Sequence, residues 1–203
     1  MTAMAAVNIG AQDDSIAGAL ALARDGDVAA FTELVALLHP PVYRWATGLA
    51  ADPDDADEIA QDAFVQVHRR LDQFRGEAPF AAWVYGIVRR IAHQRRRREG
   101  RRARIAESTP WTDALVAGIY TTDPGARVDR QRLAAYVNHF FQQLPPRQRE
   151  IFDLVDLQGY DPAEAATMLD MKQGTVRANL FKARASIRSH VLATHPAWGD
   201  LDR

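Results

Sequence analysis

Apolar residues recur at three- and four-residue spacing along nearly all of this chain, and that periodicity constrains its fold more than any other feature. Helical geometry brings residues i, i+3, i+4 and i+7 to one face, whereas a half-buried strand needs strict alternation. Ala56, Ile59, Ala60, Ala63, Phe64, Val67 and Leu71 make one such face; Phe80, Val84, Ile87 and Ile91 make a second; Val176, Leu180, Ala183, Ile187 and Val191 make a third. Alternating β-branched or aromatic runs joined by Asn-Gly turns are missing. The pattern predicts an all-α protein, and 47% hydrophobic residues in 203 suffice for one or two domains of ordinary size.

Proline and glycine divide the chain. Thr109-Pro110 and Asp123-Pro124-Gly125 bracket a stretch of poor periodicity between two strongly periodic halves. The expected layout is an N-terminal extension over 1–14, a helical domain over 15–100, a flexible linker over 101–128, a second small helical domain over 129–192 and a tail over 193–203. Helices are expected near 15–24, 27–50, 54–73, 79–98, 128–142, 146–157, 162–170 and 174–192. Asp52-Pro53 reads as an N-cap followed by proline at the first helical position, with Asp55 placed to take free amides. Asp161-Pro162-Ala163-Glu164 reads as a capping box built the same way.

Several chemistries are unsupported. Without cysteine there are no disulfides, thiolate metal sites or thiol nucleophiles. His39, His68, His93, His139, His190 and His195 form no metal-ligand spacing, and no glycine-rich phosphate loop follows a strand. The expectation is therefore no enzyme, with no catalytic, metal or cofactor site and no small-molecule substrate. Met1 to Ser15 lacks a basic and an apolar region, and no stretch approaches the roughly 20 apolar residues of a membrane span. A cytoplasmic protein without a membrane partner is expected.

The formal net charge is -1, yet charge is segregated: nine arginines face one acid between Arg89 and Arg104, and six acids face no base between Asp52 and Asp62. Three constellations result. Asp161 to Met171, a turn at Lys172-Gln173-Gly174 and a longer helix from Thr175 have helix-turn-helix spacing, with Ala178, Lys182, Ser186 and Ser189 opposite the apolar stripe and Arg177, Asn179, Phe181 and Arg188 flanking. Such a face fits a major groove, and it equally fits a solvated face in a helical bundle. On the arginine-rich helix Ala82, Gly86, Arg89, Arg90, His93, Arg96 and Arg97 lie opposite the apolar stripe, the small pair allowing a backbone close approach and the cations attracting phosphate. The arginines are expected on an end projecting beyond the core. Phe80, Trp83 and Tyr85 are candidates to stack on unpaired bases, although Trp83 is expected to be mostly core. The acidic helix exposes Glu58, Gln61, Asp62 and Val65; acids in a first turn follow from the helix dipole alone, whereas an apolar residue on an acidic face suits a protein-binding surface.

In order along the chain, these constellations resemble the bacterial sigma-70 family, specifically its two-domain extracytoplasmic-function (ECF) group, over roughly residues 15 to 192. Asp57-Glu58-Ile59-Ala60-Gln61-Asp62-Ala63-Phe64 is similar to the family's core-polymerase-binding segment. Phe80-Ala81-Ala82-Trp83-Val84-Tyr85-Gly86-Ile87 and the arginines after it are similar to its promoter-melting segment, and Gly174 to Arg188 to its recognition helix. The resemblance implies a sigma region 2-like bundle and a region 4-like helix-turn-helix, in a subunit of RNA polymerase without an active site of its own. It implies core-polymerase contacts at Asp57, Glu58, Gln61, Asp62 and Val65, on the clamp helices of the largest subunit, with the second domain on the flap of the second-largest. It places minus-ten DNA contacts at Arg75, Phe80, Trp83, Tyr85, Arg89, Arg90, His93, Arg96 and Arg97. Minus-thirty-five contacts fall at Lys172, Thr175, Arg177, Ala178, Asn179, Phe181, Lys182 and Arg184. An anti-sigma factor and a monomeric free state are implied as well. Arg90 and Gln94 stand where the family usually has Asn and Asp, Lys172 where a small hydroxyl residue is usual, and Asn179 where Arg is usual. Two other readings stay open: a helix-turn-helix repressor or activator acting as a dimer on a palindrome, and a helical adaptor that binds only protein.

Overall fold

The computed structural model describes residues 9–102, 141 and 143–194. Among them the secondary structure is helical without strands: α1 (Ile9–Arg24), α2 (Val28–Leu49), α3 (Pro53–Arg70), α4 (Phe80–Arg102), α5 (Pro146–Phe152), α6 (Pro162–Leu169) and α7 (Gln173–Thr194). A 3-10 turn over Leu71–Gln73 closes α3, and a π turn over Asp153–Leu157 follows α5. The linker beyond Arg102, most of the helix expected near 128–142, and the tail from His195 lie outside the described residues. α1 begins at Ile9, six residues before the expected start, so the expected extension over 1–14 is partly helical.

Local chemistry sets the helix starts. Gly26 at φ +90° turns the chain after α1, and Asp27 then accepts the amides of Ala29 (2.8 Å) and Ala30 (3.1 Å) to open α2. At α3, Asp52 accepts from the Asp55 amide at 2.8 Å while Asp55 accepts from the Ala51 amide at 3.1 Å. The capping box at α6 has both halves, Glu164 taking the Asp161 amide and Asp161 that of Ala163, each at 2.7 Å. α2 runs through Pro40 and Pro41, which remove two backbone donors; burial of Leu38, Pro41, Val42 and Trp45 around them holds the helix against that loss.

α2, α3 and α4 pack on one another, and α6 packs on the far side of α4. Leu34, Leu38, Val42 and Trp45 of α2, Ile59 and Val67 of α3, and Val84 and Val88 of α4 are at most 1% exposed. The same apolar cluster continues into the C-terminal half through Ile151, Leu154, Met168, Leu169 and Val176. Each such side chain contributes about 1.5–3 kcal/mol on burial, against about 0–1 for an exposed ion pair. Apolar contact therefore dominates the stability of the body, and polar contacts decide how its parts register.

Candidate nucleic-acid interface

In the C-terminal half, α6 and α7 form the helix-turn-helix pair. The turn differs from the expected one: α6 ends at Leu169, Asp170 takes a left-handed conformation at φ 52°, and Gln173 and Gly174 already lie in α7. Aspartate is among the few residues that reach that conformation cheaply, so no glycine is needed. Val176, Leu180 and Ala183 are buried, which turns Arg177, Ala178, Lys182, Ser186 and Ser189 outward. Lys172 and Thr175 are exposed at the start of α7, and Phe181 is 74% exposed. Two expected contacts are engaged within the chain: Asn179 Nδ2 donates to the Thr175 carbonyl at 2.8 Å, and Arg184 holds both oxygens of Asp156 at 2.9 and 2.5 Å. That carboxylate raises the pKa of Arg184.

The N-terminal end of α4 carries an aromatic cluster in which the Phe74, Phe80 and Trp83 rings lie 5.0 to 5.5 Å apart. Phe80 is buried, and Trp83 is partly buried against the core, in keeping with a mostly core position. Tyr85 corrects the sequence reading. Instead of facing outward to stack on a base, it is 2% exposed and edge-on to Trp45 at 5.5 Å, because α4 is covered on two sides rather than one. Burial, then the charges of Glu150 and Asp153, raises its pKa well above the usual value.

The arginine-rich end of α4 runs on past the last buried residue, as expected, but two of its arginines reach back to the body. Ala92, the residue after the last position of the apolar stripe, is the last buried one among the described residues of α4. Arg95 reaches back to α3, donating to Asp55 at 2.6 Å and to Glu58, with Asp62 at 3.8 Å. Arg96 donates to the Leu49 carbonyl at 2.7 Å. Arg75, Arg90 and Arg97 are exposed. Arg89 and His93 both meet Glu150, at 3.2 and 2.7 Å. Asp57, Glu58, Gln61, Asp62 and Val65 share the outer face of α3, with Val65 47% exposed.

Three features carry no signal in the sequence. Glu150 and Asp153 are buried acids in a segment that reads as an ordinary amphipathic helix, and Trp45 Nε1 donates to the Tyr160 hydroxyl at 3.0 Å across 115 residues. Burial pushes the Asp153 carboxyl up to about 7; the nearby Glu150 charge adds to this and the Gln158 hydrogen bond of 2.6 Å opposes it. A folded-state pKa above the unfolded value means that the folded state binds the proton more tightly. The resulting stability is fully present below pH 3.8 and is lost as pH rises through about 7. Asp153→Asn, permanently neutral at this site, is expected to exceed the parent in stability by about 1–3 kcal/mol at about pH 8, the gap closing below about pH 5. Urea titrations of both proteins at both pH values measure it, and a gap between variant and parent that does not widen from about pH 5 to about pH 8 would contradict it.

Residues 34–102 match the model of sigma-70 region 2, and residues 135–187 that of sigma-70 region 4. The chain is 32% identical over 178 residues to the ECF RNA polymerase sigma factor SigM of Mycobacterium tuberculosis strain H37Rv, covering 88% of this chain and 85% of that protein. It is 29% identical over 174 residues to the ECF RNA polymerase sigma-E factor of Escherichia coli K12, covering 82% and 88%. In fold it is similar to the sigma factor RpoE solved in complex with the anti-sigma factor NepR from Bartonella quintana, with TM-score 0.62 and 22% identity over 81% of this chain and 98% of that one.

Proposed function

Because the chain belongs to the sigma-70 family, and within it to the ECF RNA polymerase sigma factors, we propose that it joins core RNA polymerase, directs it to a set of promoters and opens the DNA there. A sigma factor supplies binding and strand separation rather than bond chemistry. The observation that carries the reading is the pairing on one chain of a helix-turn-helix whose outward face bears Arg177, Ala178, Phe181 and Lys182 with an aromatic and arginine-rich helix. The first arrangement suits duplex readout in a major groove, and the second suits unpaired strands.

In this reading α7 lies in the groove of the minus-thirty-five element, with Lys172, Thr175, Asn179 and Arg184 at its edges. Trp83, Arg75, Arg90 and Arg97 meet the separated minus-ten strand, while Phe80 braces Trp83. Arg89, His93 and Arg96 join them once released from their present partners; Tyr85 supports the helix from inside. The outer face of α3, from Asp57 to Val65, docks on the clamp helices of the largest polymerase subunit, and the C-terminal domain docks on the flap of the second-largest. The domain limits over 15–100 and 129–192 and a cytoplasmic site of action go with this reading. No described helix is long and apolar enough to cross a membrane. An anti-sigma factor is the expected regulator, since Val65 and Phe181 offer apolar surface on both domains.

Run-off transcription with core polymerase on a library of upstream fragments tests it. Discrete start sites that depend on the protein are expected, and Arg177→Ala is expected to reduce them by about 5- to 150-fold, as loss of one base contact worth about 1–3 kcal/mol would. A dimer that footprints a palindrome without polymerase and yields no new starts would establish the repressor reading instead.

A further inference from the structure

Arg184 lies seven residues after Arg177 and so shares its flank of α7. The N-terminal residues of a groove-bound helix contact base edges, and a flanking residue two turns further on meets the phosphate backbone. The side chain that holds Arg184, Asp156, comes from outside the helix-turn-helix. It lies in the π turn over Asp153–Leu157, where the Gln158 amide donates to the Asp153 carbonyl at 2.9 Å. Turns of this kind insert an extra residue into a helix and recur at functional sites. Here Leu154 stays buried while Asp156 is brought to the flank of α7. α5 packs on α7, and Ala183, next to Arg184, is buried in a cluster with Phe141, Leu144 and Phe152, so both ends of the contact are anchored. The carboxylate takes the guanidinium side-on: Nε donates to Oδ2 at 2.9 Å and Nη2 to Oδ1 at 2.5 Å. Of the five N–H groups of this rigid plane two are thereby engaged, and the three that remain lie along the edge formed by Nη1 and Nη2. The Asp156 side chain is 21% exposed and that of Arg184 57%, so the acid sits on the inner side of the pair.

We propose that Asp156 is a positioning residue for DNA: it fixes the Arg184 guanidinium with its free edge toward one phosphate of the strand bordering the groove, and so strengthens minus-thirty-five binding although its own charge is one that DNA repels. The inference rests on the reading that α7 lies in the groove. An arginine that meets a phosphate loses rotamer freedom, and Asp156 imposes that loss when the protein folds rather than when DNA binds. Two effects of Asp156 on the phosphate therefore oppose one another. Repulsion acts across the width of a guanidinium in solvent and is screened by salt, whereas the ordering of Arg184 is not. At physiological salt the ordering dominates, and the acid acts in favour of the complex.

The test uses the full-length protein on core polymerase and a promoter duplex taken from the run-off library. Asp156→Ala is expected to weaken binding about 2- to 10-fold at about 0.15 M salt, the range set by ordering one long side chain. Asp156→Glu keeps a carboxylate within reach of the guanidinium and is expected to recover part of the loss. In an Arg184→Gln background Asp156→Ala is expected to weaken nothing, because no guanidinium is left to aim. Unchanged or tighter binding by Asp156→Ala would overturn the proposal, since removing an acid that merely faces DNA relieves repulsion. Equal weakening in both backgrounds, the mark of a purely structural role, would overturn it as well. A second measurement needs no Asp156 variant: methylphosphonates placed one at a time along the duplex remove single phosphate charges. One position is expected to cost the parent affinity and to cost Arg184→Gln none, and the absence of any such position refutes the proposal. If no fragment yields starts that depend on the protein, the sigma reading falls and this inference with it. Dependent starts together with parental affinity in Asp156→Ala remove the inference alone.

Discussion

Trp45→Ala is expected to lower the unfolding free energy by about 3–5 kcal/mol, a large part of the about 5–15 kcal/mol available to a typical domain. The residue is 1% exposed, so its removal leaves a cavity that α2, wedged between α3 and α4, cannot close by collapse. Two further contacts go with it: the edge-on packing against Tyr85 at 5.5 Å and the indole hydrogen bond to Tyr160. Tyr160→Phe removes the second contact without the cavity, along with the hydroxyl's hydrogen bond to Arg44. It leaves the ring in place and the indole N–H unpaired, and is expected to cost about 1 kcal/mol. Urea denaturation followed by helical circular dichroism gives both numbers. If Trp45→Ala cost no more than Tyr160→Phe, the tryptophan would not be packed as described.

Val65→Glu has the opposite profile, with little effect on folding and a large one on assembly. At 47% exposure Val65 lies outside the core, and a substitution there is expected to move stability by no more than about 0.5 kcal/mol. On the proposed polymerase-binding face it is an apolar point among Asp57, Glu58, Gln61 and Asp62, the kind of central residue that interfaces desolvate while the charges around it stay wet. A carboxylate at that point is expected to weaken affinity for core polymerase by at least about 30-fold, the equivalent of about 2 kcal/mol. Asp62→Ala, by comparison, is expected to cost about 0.2–1 kcal/mol, as rim charges do. Competition binding to core polymerase separates the two; equal affinity of the Val65→Glu protein and the parent would remove α3 from the interface.

Sequence alone carries the helical architecture, because the information is local. Apolar spacing names the buried face of α3, where Ala56, Ile59, Ala60, Ala63 and Val67 are all buried as the spacing predicts, and Asp52 and Asp161 mark their helix starts by short-range hydrogen bonds. Longer-range facts are another matter. A periodic stripe shows which face of α4 is apolar, but not that a second helix covers another face; hence Tyr85 is buried where outward stacking is expected. Small residues at Ala82 and Gly86 signal close approach without naming what approaches. Arg95 and Arg96 read only as part of a cationic, phosphate-attracting helix end because their partners within the chain, Asp55 and the Leu49 carbonyl, lie 40 and 47 residues earlier. The buried Glu150 is the extreme case, since nothing in Pro145-Pro146-Arg147-Gln148-Arg149-Glu150 points to Arg89, 61 residues away.

The triple engagement of Arg95 makes two surfaces share one charge. Its guanidinium, on the arginine-rich helix, neutralises Asp55, whose other oxygen secures the Ala51 amide where the chain enters α3, and also Glu58 and Asp62 on the exposed acidic face. A protein partner that recruits Glu58 and Asp62 with its own cations hands part of Arg95 back to solvent; a polyanion that recruits Arg95 strips a counterion from that acidic face and from Asp55, only 9% exposed at its side chain. By thermodynamic reciprocity each event must alter the free energy of the other by the same amount. Occupancy of one surface is therefore communicated to the other through a single side chain, without any helix having to move.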